Sequence, residues 1–214
     1  MRIVVFSDLH GNIETFQKMV DKEREHTDHF LCLGDLVGYL PFANECLELL
    51  STLPYSYVLG NHEEMFIAGK AAENCSAQAK EFFNYAYPHF EKKYIPLLQS
   101  LPQHLFLHNF NVQHTVLDRY IYPNTPIELL AGLEGNFFIG HSHCQFMMKN
   151  QTYMIVNPGS LGQNRKQKTH ANYAVWLPET NSISFETIYN SNNNLRENLI
   201  ELGYPETLTA YYCS

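Results

Sequence analysis

The sequence predicts an α/β fold built around parallel strands. Three observations carry that expectation: short β-branched runs alternate with stretches of helical spacing, several apolar runs end abruptly in Asp, Asn or His, and 214 residues suffice for one good core. A buried parallel strand reads as a short continuous apolar run, and open α/β sheets place ligands beyond the carboxyl ends of such strands.

Taken in order, residues 2 to 7 read as a strand, and Asn12 to Arg24 as a helix with Ile13, Phe16, Met19 and Val20 at helical spacing. Strand 30 to 33, helix 42 to 51 and strand 55 to 59 repeat the alternation. From about Cys75 to Gln99 the pattern is helical and carries Phe82, Phe83, Tyr85, Tyr87, Phe90 and Tyr94, interrupted by Pro88 and ended by Pro96 and Pro102. These aromatics are read as core, with Tyr85 or Tyr87 as part of a substrate wall the alternative. Beyond them the character changes to strands. Residues 103 to 115 read as a hairpin turning near Asn109 to Asn111, and 136 to 140, 153 to 157, 172 to 177 and 182 to 189 as short strands, before a last helix at Leu195 to Leu202. No repeat or long linker divides the chain, so residues 1–214 are expected to form a single domain.

Fourteen Lys and Arg against 22 Asp and Glu give a formal charge of −8, which disfavours non-specific binding to nucleic acid and to acidic membranes. A small anionic substrate remains compatible, because bound divalent cations reverse the sign locally. The cysteines, Cys32, Cys46, Cys75, Cys144 and Cys213, are odd in number and show no CxxC pair, which points to free thiols. The first apolar run is too short for a signal peptide, and no stretch approaches a membrane span. A cytoplasmic location is therefore expected, and nothing in the sequence sets an oligomeric state.

The chemistry lies where apolar runs stop. VVFSDLHGN, FLCLGDLVGY, YVLGNHEE and FFIGHSHC each end in residues of ligand type. One Asp after a strand is most often a cap or turn former. Four such ends in one α/β chain are different, since parallel pairing would bring them together. Seven oxygen and imidazole donors result: Asp8, His10, Asp35, Asn61, His114, His141 and His143. Two divalent cations about 3.5–4 Å apart need a comparable number, with one carboxylate shared. In an extended segment residues i and i+2 point the same way, so Asp8 and His10 are expected to share an ion and His141 and His143 to converge on the pair. Such donors suit manganese foremost, with iron, cobalt, nickel and zinc also fitting.

These motifs resemble the calcineurin-like metallophosphoesterase superfamily, whose DxH, GD, GNH plus acidic residue, His and GHxH correspond to Asp8/His10, Gly34-Asp35, Gly60-Asn61-His62-Glu63, His114 and Gly140-His141-Ser142-His143. GDLVGY and VNPGSLGQ are similar to the small stand-alone phosphodiesterase branch, and the Asp-Arg-Gly that the phosphoprotein phosphatases carry after GD is absent here, where Leu36 and Val37 are followed by Gly38 and Tyr39. The resemblance implies a four-layer αββα sandwich of two mixed sheets. It also implies that Asp8, His10, Asp35 and His143 hold one ion while Asp35, Asn61, His114 and His141 hold the other, with Asp35 as the bridge. His62 would face the scissile phosphate and assist the leaving group, and Glu63 would either orient it or take a plain surface or supporting role. The implied activity is hydrolysis of small phosphate esters, diesters foremost. A protein phosphatase, a dinucleoside-polyphosphate hydrolase and a non-catalytic scaffold remain the alternatives.

Two departures stand out. His114 is followed by Thr115 rather than Gly, with His108 as the competing candidate, and Gly162-Gln163-Asn164-Arg165 replaces Gly-Gln-Pro-Arg. Arg165 is a candidate for substrate phosphate with a solvated surface role as the alternative, and Asn12 is expected either to cap the first helix or to touch substrate.

Overall fold

Ile3, Val4, Val5 and Phe6 form strand β1 (Ile3–Phe6), and all four are fully buried because the strand is covered on both faces. In the computed structural model, which describes residues 1–213, β1 pairs in parallel with β2 (His29–Cys32), and β2 in parallel with β3 (Tyr55–Tyr57). Strands β9 (His170–Leu177) and β10 (Ser182–Tyr189) add antiparallel on the other side, giving the order β10-β9-β1-β2-β3. The second sheet has β4 (His104–Leu107), β5 (Phe110–Gln113), β6 (Gly135–Phe138), β8 (Tyr153–Pro158) and β7 (Gln145–Lys149) in the order β4-β5-β6-β8-β7. Its three central strands run parallel and its two edges antiparallel.

The two sheets stack face to face. Strand alternation sends Ile3 and Val5 towards the second sheet, where they join Leu31, Val58, Phe110, Phe138, Val156 and Trp176, while Val4 and Phe6 point to the helices. The helical side holds α1 (Ile13–Glu23), α2 (Ala43–Ser51), α3 (Asn61–Ala68), α4 (Ala77–Ala86) and α5 (Ile95–Gln99), whose Phe16, Met19, Leu47, Phe66, Phe83 and Leu98 share one cluster with Phe30 and Cys32. Helices α6 (Asn193–Glu201) and α7 (Glu206–Cys213) close over α4, with Leu195, Leu199, Leu208 and Tyr212 against Phe82 and Tyr39. On the outer face of the second sheet, Phe137, Ile139, Tyr153 and Ile155 are covered by Val116, Ile121 and Leu130, from a segment whose helical part is a 3₁₀ turn at Ile127–Leu130. The architecture is the sandwich of two mixed sheets flanked by helices that the sequence implied.

Several elements differ from the sequence reading. The hairpin turns at His108 and Asn109, earlier than expected, because His108 adopts a left-handed conformation with φ 52°. Its ring stands edge-on to Trp176 at 5.5 Å, far from the role of ligand. Strand β7 and helices α3 and α7 had not been expected. β7 is an edge strand with Met147 exposed, and α3 begins inside the GNH motif, where chemistry masks periodicity. All five cysteines are free, and no helix is long and apolar enough to cross a membrane.

Between the sheets, Phe138 stacks on Phe110 at 4.2 Å and meets Trp176 edge-on at 5.1 Å. Phe138→Ala should therefore lower the unfolding free energy by roughly 3–5 kcal/mol, read from denaturant titration. A loss below about 1 kcal/mol would mean that the sheets collapse around the cavity.

Candidate metal centre

Beyond their paired ends, β1 and β2 stay zipped. Asp8 N–H donates to Gly34 O at 3.1 Å, His10 N–H to Asp35 O at 2.9 Å and Gly11 N–H to Leu36 O at 2.8 Å, so the first two motifs leave the sheet as one double loop. The loop after β8 is laid over them, with Gly162 N–H and the Ser160 hydroxyl both donating to Asp8 O. From the second sheet, Gly140 N–H donates to His114 O at 3.0 Å, tying the loop after β6 to the end of β5. All five motifs thus meet at one end of the sandwich.

The spacing works differently from the sequence argument. Asp8, His10, Asp35, His141 and His143 have φ of 53°, 51°, 55°, 66° and 56°. Residues i and i+2 converge because both are left-handed, and not because the segment is extended. Each such residue costs roughly 1–3 kcal/mol, so this strain is concentrated where the donors gather.

Three sets of donor atoms lie within 4.8 Å of one another: Asp8 with His10 and His143, Asp35 with His114 and His141, and His10 with Asp35 and His62. Asn61 Oδ1 lies 3.2 Å from His114 Nε2 and so joins the second set. The seven predicted ligands are together, with Asp35 common to two sets. His62 adjoins them: its backbone N–H donates to Asp35 Oδ1 at 2.9 Å, and its ring stands edge-on to His10 at 4.6 Å.

The chemistry of this donor set fits divalent cations. His143 Nδ1 and His114 Nδ1 face backbone carbonyls, Gln163 O at 2.7 Å and Leu33 O at 2.8 Å, which fixes each tautomer and leaves Nε2 turned to the cluster. Burial, with neighbouring imidazoles and Arg165 adding to it, holds His10 and His143 well below the ordinary histidine range, and burial with His114 lowers His141 to about 4. Neutral imidazole is the form that binds metal. Burial also pushes Asp8 up to about 7, with the Asp35 carboxylate adding to the rise and His114 opposing it. The arrangement provides two candidate divalent-metal sites, one at Asp8, His10 and His143 and one at Asp35, Asn61, His114 and His141.

Glu63 has a larger part than the sequence suggested. Its Oε2 accepts from Asp35 N–H and Gly60 N–H, both at 2.8 Å, and its Oε1 from Val37 N–H at 3.1 Å and the Tyr57 hydroxyl at 2.6 Å. None of these reaches the His62 ring, so Glu63 supports the loops rather than orienting that histidine. Tyr57, Tyr39 and Tyr120 were missed. Tyr39 packs against the rings of His10 and His62, and Tyr120 stacks on His141 with centroids 3.9 Å apart. Only Tyr39, inside GDLVGY, had a sequence signal.

Asn12 caps α1 by accepting from Thr15 N–H at 3.2 Å and donates to Gly162 O at 3.1 Å, which engages both ends of its amide in the scaffold. Arg165 reaches inward, with Nη2 3.2 Å from His143 Nε2. Neither Tyr85 nor Tyr87 lines the cleft of about 830 Å³ that opens from the cluster; they pack on Tyr204 and on Phe83.

Comparison with known proteins agrees with this geometry. Residues 1–181 match the family model of the calcineurin-like phosphoesterase superfamily domain. An uncharacterized protein of Methanocaldococcus jannaschii is 23% identical over 96% of this chain and 95% of its own. A metallophosphoesterase of Sphaerobacter thermophilus superposes with a TM-score of 0.82 at 24% identity, covering 99% of this chain and 98% of the other. A hypothetical protein of Pyrococcus horikoshii superposes with 0.81 at 17% identity over the same shares.

Removing the Glu63 carboxylate leaves three buried N–H groups without an acceptor. Glu63→Ala should therefore destabilise the fold by several kcal/mol and weaken metal uptake, whereas Tyr57→Phe, which deletes one bond to a charged group, should cost about 1.5–3 kcal/mol. Thermal unfolding with elemental analysis separates the two, and equal effects would deny Glu63 its hub role. A second expectation concerns pH. Burial alone would lower His114, yet the Asp35 carboxylate outweighs it and raises the ring to about 10, so His114 carries a proton that a cation must displace. Because the folded values of His114 and Asp8 are both raised, metal affinity should strengthen as pH rises from 6 to 8, with about one proton from His114 and, towards pH 6, most of another from Asp8 released per chain in calorimetry in buffers of different ionisation enthalpy. Affinity independent of pH would mean that both groups are already deprotonated.

Proposed function

This chain belongs to the calcineurin-like phosphoesterase superfamily, and from that premise we propose that it is a dinuclear-metal phosphoesterase acting on small phosphate esters, phosphodiesters foremost. The observation that carries the reading is the gathering of Asp8, His10 and His143 beside Asp35, Asn61, His114 and His141 at one end of the sandwich, where Asp35, Asn61, His141 and His143 line the larger cleft. Asp8, His10, Asp35 and His143 would hold one cation and Asp35, Asn61, His114 and His141 the other. Manganese suits these donors, as do iron, cobalt, nickel and zinc. When bound, two such cations supply an activated water and neutralise charge on the phosphoryl oxygens.

The chain's own side chains do the rest. Hydrolysis needs a proton at the departing oxygen, and His62 lines the cleft with its ring donor within 4.8 Å of those of His10 and Asp35. Its packing against Tyr39 and His10 fixes the ring plane. Arg165 stands at the rim, where its guanidinium can meet a phosphoryl oxygen. Asn12, engaged in the scaffold at both ends, takes no part. A scaffold that only bound proteins would gain nothing from seven convergent and mostly buried donors. We place the whole chain, as one domain, in the cytoplasm.

The test is hydrolysis of a phosphodiester, a phosphomonoester and a phosphopeptide by the manganese-loaded protein, with metal content measured. Diester turnover above the others is expected, and activity that survives full metal removal would reject the reading. His62→Ala should keep both cations and lose roughly 10²–10⁴-fold in kcat on a diester with an alkoxide leaving group, and much less on bis-p-nitrophenyl phosphate, whose leaving group needs no proton. Loss of metal in that variant would make His62 a ligand.

A further inference from the structure

Asn61 and His141 stand where two clefts meet. The larger, about 830 Å³, runs past the start of α4, and the smaller, about 390 Å³, lies over the open end of the β4–β5 hairpin. Asn61, Glu64, Asp118 and His141 line both. His62 and Arg165 line only the larger, and His114 only the smaller.

A phosphate held at this junction would have room on two sides. We infer that the substrate is a phosphodiester lying across it, with a large alcohol in the larger cleft and a small uncharged or cationic alcohol in the smaller, and that the large alcohol is the one released. The inference rests on the phosphoesterase reading and adds which ester group goes where.

Size supports the assignment. Both volumes fall within the roughly 300–1,000 Å³ that encloses drug-sized ligands, and the larger cleft, at about 830 Å³ against about 390 Å³, takes the larger of the two ester groups. Chemistry supports it independently. The larger cleft carries Lys70, Arg119 and Arg165 together with the rings of Tyr39, Tyr120 and Tyr211. Tyr120 lies on His141 and remains 46% exposed, with the Arg165 guanidinium 5.8 Å from its ring centre, which suits an aromatic or anionic group. Among the described residues of the smaller cleft there is no Lys or Arg. Glu64 and Asp118, which line both clefts, have no Lys or Arg beside them on this side, Gln103, His104, Gln113 and Thr115 offer hydrogen bonds, and a second anionic group would be repelled there.

Direction follows from His62. Water adds to phosphorus, and the bond from phosphorus to the large alcohol's oxygen breaks with its electron pair leaving on that oxygen. The oxygen takes a proton from His62, which the attacking water's proton replaces. The products are the free large alcohol and the phosphate monoester of the small one.

Thymidine 5′-glyceryl phosphate, offered to the manganese-loaded full chain, tests this, because both leaving groups are primary alkoxides and acidity does not choose between them. Thymidine and glycerol phosphate are expected. Thymidine monophosphate with glycerol, or an equal mixture, would overturn the inference while leaving the phosphoesterase reading intact. Activity on neither this diester nor p-nitrophenyl phosphate would remove both. Gln113→Trp, which narrows the smaller cleft, should lower kcat/KM on the diester at least about tenfold relative to p-nitrophenyl phosphate, which has no second arm. An unchanged ratio in a folded, metal-replete variant would also overturn it.

Discussion

One buried carboxylate holds the candidate centre in shape. Glu63, at the third position of α3, accepts from Gly60 N–H at the start of its own helix, from Asp35 N–H and Val37 N–H in the loop after β2, and from the Tyr57 hydroxyl on β3. Asp35 answers in the other direction, because its Oδ1 accepts from His62 N–H. The two segments are clasped reciprocally, and Asp35 is fixed in backbone and side chain together. The cost is real: burial, with the Asp35 carboxylate beside it, pushes Glu63 up to about 7, and the Tyr57 hydroxyl and the backbone N–H donors offset part of that rise. Gly60 is part of the same constraint. A Cβ there would run into the carboxylates of both Asp35 and Glu63, so the loop can close only on glycine.

The strain in the ligand loops can be held because the sheets below them do not yield. Five non-glycine residues at positive φ sit at one end of a sandwich whose inner layer contains Phe110, Phe138 and Trp176 in mutual contact. Parallel pairing matters here as well. β1, β2 and β3 run the same way in one sheet, as do β5, β6 and β8 in the other, so the strand ends that carry donors gather at one end without any long excursion of the chain. The geometry of the centre is a property of the sheet register, and the helices mainly cover what the register leaves apolar.

This division explains what could be read from the sequence. Strand ends, the donor residues and the choice of His114 over His108 were legible, because each depends on local pattern and residue type. The left-handed conformations at Asp8 and His141 were not, since an Asp or His tolerates them only when distant hydrogen bonds compensate. Neither was the link from Tyr57 to Glu63, which follows from β3 and α3 packing side by side rather than from any spacing. The role of Tyr120 stayed hidden for the same reason. It lies in a segment with no regular element, and only the fold lays it on His141. The two clefts are likewise products of loop shape.

Electrostatics completes the account of how a chain of net charge −8 can receive a phosphate. Of itself the cluster brings together two buried carboxylates and imidazoles among which burial disfavours charge on His10, His141 and His143, and Glu64 and Asp118 add negative charge along both clefts. An anion would gain little there. Two divalent cations against Asp8 and Asp35 reverse the balance to about +2, which offsets one phosphodiester anion with charge to spare. Arg165 then extends the positive field into the larger cleft, while the acidic residues confine it to the phosphate. The same cations would displace the His114 proton and relieve the raised Asp8 carboxyl, so metal loading and substrate attraction are two consequences of one arrangement of charge.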